Sequence, residues 1–144
     1  MEKPSPCKIK ENNLSNVPSI DQWLKEAKMD VNADRIGMYL THNGVVRKTA
    51  KSLVRENDID AKDVKGMLFS YDKEKLEQIM DETKKLVGIY HVRAWLNEGK
   101  LEVGDDLMYV LIGGDIRTNV TDALDYIVVR IKAECVTEEE IIIL

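Results

Sequence analysis

From Val120 to Ile131 the apolar residues Val120, Ala123, Leu124, Ile127, Val128 and Ile131 recur at helical spacing without a miss. A helix with so continuous a stripe is stable only where a second layer covers it. Upstream, Leu101–Ile112 is a mostly apolar run ending at Gly113-Gly114, and Ile89–Leu96 is another. Both read as strands, and Asn97-Glu-Gly-Lys100 between them reads as a hairpin turn. A helix following a hairpin buries its stripe by lying on the sheet. The expectation is an α+β fold, mostly antiparallel sheet with packed helices.

The rest of the chain fits this plan. Residues 1–18 hold all three prolines (Pro4, Pro6, Pro18) and three asparagines, and read as a loose N-terminal arm before a single domain over residues 19–144. Ser19-Ile-Asp-Gln22 is a capping-box pattern, and Ile20, Trp23, Leu24 and Ala27 follow at helical spacing. Arg35–Thr41 alternates, with Ile36, Met38 and Leu40 on one face, and reads as a strand; a basic loop and the polar ENDIDAKD follow it. Val64–Tyr71 reads as the next strand. Asp72 then caps a helix with the stripe Leu76, Ile79, Met80, Leu86 and Val87, which Gly88 ends. Glu138-Glu-Glu140 reads as a solvated tail, with the terminal IIIL as a short last strand.

Composition narrows the function classes. A chain of 144 residues and net charge −5 has no general affinity for nucleic acid or anionic membrane, so an anion site must be local. No apolar run approaches the ~20 residues of a membrane helix, and MEKPSPCKIK lacks the apolar core of a signal peptide. Cys7 and Cys135 form no CxxC pair and read as reduced thiols of a cytoplasmic protein. His42 and His91 share no ligand spacing with each other or with a cysteine, so no metal site is expected. His42 reads as a polar loop residue and His91 as a strand residue; Trp23 and Trp95 read as packing residues.

The features left over are cationic. Thr41-His-Asn-Gly-Val-Val-Arg-Lys-Thr-Ala-Lys51 gathers Arg47, Lys48 and Lys51 just past a glycine, with Arg55 close behind. Arg117 lies just ahead of the last helix, after Gly113-Gly114, where free N–H groups and the helix dipole favour anions. Lys132 stands near that helix's end, at the edge of the stripe; partly desolvated beside arginines, it would suit a base or nucleophile. Each alone is more often a solvated charge, so their meaning depends on whether they converge.

Over roughly Ser19–Lys132 the sequence resembles the large, catalytic subunit of molybdopterin synthase. Gly37-Met-Tyr-Leu-Thr-His-Asn-Gly-Val-Val-Arg47 is similar to that family's strand ending in Gly-x-Val-Arg. Gly99-Lys-Leu-Glu-Val-Gly-Asp105 is similar to its Gly-x-Leu-x-x-Gly-Asp/Glu hairpin. The resemblance implies an α/β-hammerhead-like fold and a sulfurtransferase without a cofactor of its own. It also implies a small ubiquitin-like carrier whose C-terminal Gly-Gly bears a thiocarboxylate, an anionic pterin (cyclic pyranopterin monophosphate) as acceptor, and a homodimer with one carrier at each end. It places the catalytic lysine on Lys132 and substrate or anion binding on Arg47 and Arg117, with Lys48 and Lys51 beside Arg47. Strand Leu107–Ile112 is the surface expected to be covered in the dimer. Two positions depart from the pattern: Ile116 stands at the histidine of a His-Arg pair, and Glu139 at a second active-site lysine. The alternative reading is therefore a non-catalytic relative that binds a carrier or dimer partner without turnover.

Overall fold

The computed structural model describes residues 17–143; the expected arm lies, but for its last two residues, outside them. In chain order the elements are α1 Ile20–Ala27, β1 Met38–Val45, α2 Lys51–Glu56, β2 Val64–Tyr71, α3 Lys73–Lys84, β3 Ile89–Leu96, β4 Gly99–Glu102, β5 Asp106–Gly114, α4 Arg117–Arg130 and β6 Val136–Ile142. A π turn, Ile131–Cys135, joins α4 to β6. Two antiparallel three-stranded sheets result, one in the order β1-β5-β3 and the other β4-β2-β6.

The α4 stripe lies where its spacing requires. Val120, Ala123, Ile127 and Ile131 are fully buried, and Leu124 and Val128 pack against the same core. Gly113-Gly114 makes the close approach possible, since a Cβ on Gly114 would stand 2.7 Å from the Val120 side chain and 2.6 Å from the Gly88 carbonyl. This pair is a packing device of β5. The first sheet's other face is covered by α1, whose Trp23 packs edge-on to Tyr109, with Trp95 also against Tyr109. Ser19 Oγ accepts from Gln22 N at 3.2 Å, while the Gln22 side chain turns to Glu26, so half of the expected capping box forms.

Several expectations change. The hairpin does not turn at Asn97–Lys100: β3 pairs with β5, and the connection swings out so that β4 pairs with β2 in the second sheet. Gly99 and Gly104 permit the excursion with φ of 106° and 95°, Leu101 is fully buried, and Asp105 Oδ2 closes it by accepting from Glu102 N at 2.8 Å. β1 begins at Met38, because a 3-10 turn occupies Ala33–Arg35, and it runs through Val45. The basic segment contains the short helix α2, and the acidic run lies within β6 rather than in a solvated tail. Val87 is exposed, since α3 ends at Lys84 before the stripe reaches it. Strand Leu107–Ile112 is central in its sheet and packs into apolar clusters of its own chain on both faces, with Leu107 and Tyr109 left partly exposed.

Candidate functional site: a basic cavity between the two sheets

The β1–α2 connection is held at two points. Val46 is buried, accepts from Gly104 N at 2.8 Å and donates its own N–H to Asp105 O at 2.9 Å, so the β4–β5 turn fixes the backbone beside Arg47. Helix α2 has Ala50 as its N-cap and no capping side chain of its own. Glu140 of β6 supplies the acceptor instead, taking the Lys51 N–H at 3.0 Å. Lys51 and Arg55, one helical turn apart, thus share a face. Opposite them the π turn after α4 presents Lys132, an exposed residue between buried Ile131 and Cys135.

These pieces enclose a cavity of about 220 Å³ whose rim carries Arg47, Lys51, Arg55 and Lys132. Met67 and Met108 contribute apolar wall, and His42, Glu138 and Glu140 complete its polar lining. Burial first, and then the Lys132 charge, holds the His42 imidazole below its ordinary value, so it is neutral at physiological pH. Glu138 pairs with the Lys51 ammonium. Among the described residues, Arg47, Arg55 and Lys132 form no ion pair. Two net positive charges face a concave, partly apolar space, an arrangement suited to a small dianion with an organic body. No group of three or more His, Cys, Asp or Glu is placed to hold a metal among the described residues.

Of the expected site residues, Arg47, Lys51 and Lys132 converge. Lys48 does not line the cavity; its ammonium stands 3.6 Å from Asp63. Arg117 does not either. It opens α4 while Lys132 follows its end, so fifteen positions and about 20 Å of helical rise separate them. The α4 N-terminus is served by the chain's own Asp115, whose Oδ1 accepts from Ile116 N at 2.6 Å and from Asn119 Nδ2 at 2.9 Å. The Asn119 bond, with the Ile116 N–H, keeps that carboxyl below its usual range. Lys132 is exposed rather than desolvated.

Other site residues were misread or unread. Strand alternation in β6 turns Glu139 to the opposite surface, beside Leu68, Ser70 and Lys100, and brings Glu138 and Glu140 to the cavity. His42 belongs to β1 rather than a loop, and extending the alternation of Met38 and Leu40 by one step would have placed it. Arg55 joins only because α2 forms, and that helix lacks a sequence signal at its start.

Two antiparallel sheets, a long helix across one of them and a basic cavity at their junction define an α+β protein with a candidate small-anion site. Comparison with known proteins makes the class specific. The family model described as MoaE protein matches residues 19–134, and the chain belongs to that family. Among solved structures, molybdopterin synthase from Staphylococcus aureus superposes with a TM-score of 0.68 at 19% identity, covering 89% of this chain and 88% of that one. The MoaE protein of Burkholderia ambifaria MC40-6 gives 0.64 at 15% identity, with 88% and 84% covered. A chain from the complex of subunits 1 and 2 of the molybdopterin-converting factor of Helicobacter pylori 26695 gives 0.61 at 16%, with 87% and 80% covered. These likenesses carry the fold. No curated protein matches the sequence.

Proposed function

We propose that this MoaE-family chain acts as the large subunit of a molybdopterin synthase, transferring sulfur from a thiocarboxylated small carrier to cyclic pyranopterin monophosphate. The observation that carries the reading is the convergence of Arg47, Lys51, Arg55 and Lys132, from three separate segments, on one cavity. Two anions, a phosphate and a thiocarboxylate, must meet for this chemistry. Fixed cations remove their mutual repulsion, and a planar guanidinium can bind either by paired hydrogen bonds. Lys132 adds what the arginines lack: its amine can carry a proton or attack an acyl carbon. The partner is a ubiquitin-like carrier with a C-terminal Gly-Gly. The proposed assembly is a homodimer with one carrier at each end.

A second reading, a relative that binds the carrier without turnover, is favoured by one observation: Glu138 and Glu140 line the cavity and cancel two of its four cationic charges. Incubation with thiocarboxylated carrier and cyclic pyranopterin monophosphate decides between them. Dithiolene product supports the enzyme. Carrier binding without product supports the second reading.

A further inference from the structure

Glu138 and Glu140 both act on Lys51, but on different parts of it. Glu140 accepts the Lys51 main-chain N–H, anchoring the start of α2, while Glu138 pairs with the ammonium. The main chain therefore stays in place if the ammonium changes partner. The pair lies at the cavity wall, with the Lys51 side chain 39% exposed and that of Glu138 only 11%. The lysine can reach an incoming ligand, whereas the carboxylate is held back against the strand. A paired lysine and carboxylate act on a third charge as a dipole, whose field falls off faster than that of a lone cation.

We propose that Glu138 is a built-in competitor for Lys51 and sets the affinity and charge preference of the cavity: while the pair holds, a phosphate-type dianion engages three of the four cations. The inference rests on the anion-binding reading of the cavity and deepens it. With the pair intact, Arg47, Arg55 and Lys132 act against Glu140 alone, which favours a divalent ligand over a monovalent one. Removing the Glu138 charge hands Lys51 to the ligand.

The test is titration of the full chain with inorganic phosphate at about pH 8, where the ion is mostly divalent, followed by NMR or calorimetry. Glu138→Gln keeps the side chain's shape, and its binding should tighten at least about fivefold, the effect of one unit charge on another at close range in a solvent-like dielectric and so a lower bound for a dianion. Lys51→Met leaves Glu138 bare and should weaken binding by a similar factor. The double variant Lys51→Met/Glu138→Gln restores the parent's net charge and should bind within about twofold of the parent. Melting curves on all three show that folding is retained. If Glu138→Gln binds no tighter while Arg47→Ala and Arg55→Ala weaken binding, the competitor role is wrong and the anion cavity stands. A double variant as weak as Lys51→Met also overturns the proposal, because the paired lysine would then already serve the ligand. If neither the parent nor Glu138→Gln binds phosphate, both the inference and the anion-cavity reading fall.

Discussion

Replacing Lys132 by alanine separates chemistry from folding, because its neighbour provides a control. Lys132 is exposed in the π turn, and its side chain makes no ion pair among the described residues. Its stabilising role is that of a cation near a helix end, worth ~0.3–1 kcal/mol and less in salt. For a chain of this size that is a fall in Tm of roughly 1–4 °C. Ile131, one position earlier, is fully buried against the sheet, so Ile131→Ala should cost ~2–5 kcal/mol and lower Tm by roughly 5 °C or more. Calorimetric melts of the two variants check the contrast. In the sulfur-transfer assay with thiocarboxylated carrier and cyclic pyranopterin monophosphate, Lys132→Ala should lose essentially all turnover while remaining folded. An active parent whose Lys132→Ala variant keeps its rate would refute the assignment of the amine to catalysis. A Lys132→Ala variant that unfolds as readily as Ile131→Ala would refute the claim that the turn holds it outside the core.

Arg47→Ala should weaken binding of phosphate or carrier by roughly tenfold, near the lower end for a charged hydrogen bond since the residue is exposed, and titration reads it directly. Glu139→Lys should leave phosphate binding unchanged, because β6 turns that residue to the opposite surface; a large gain would contradict the strand register. His42 and His91 both have lowered folded-state values, with burial the leading cause. The unfolded chain therefore binds more protons as pH falls from about 6.5, and the stability present above that pH is lost as pH drops through the lowered folded values. Denaturant melts at about pH 7.5 and 5.5 should show the loss, and His42→Gln should reduce it. Leu101→Ala should cost ~2–5 kcal/mol by emptying the fully buried anchor of β4, with a denaturant midpoint shift as the measure.

Local pattern alone settled the elements that obey one period. The α4 stripe, the Asp72 cap of α3 (Oδ1 accepting from Lys75 N at 3.1 Å) and strands β2 and β3 all lie where spacing and capping residues put them. The Gly99–Asp105 motif was legible only through its resemblance to a family hairpin; Leu101–Ile112 read as one strand, whereas left-handed Gly104 and the Asp105 carboxylate break it into β4 and β5. Its destination was not legible. Pairing β4 with β2 instead of β3 is a long-range choice made by burying Leu101 between layers, and no neighbour in sequence announces it. The site shows the same division. The sequence identified Arg47, Lys51 and Lys132 as cations in unusual places. Only tertiary structure could bring them to one cavity, leave Arg117 at the other end of α4 and set Lys48 against Asp63. Helix α2 has no capping residue of its own; Glu140, 89 residues away, supplies it. A charge is a property of one residue, but the field in a cavity depends on which residues the fold makes neighbours.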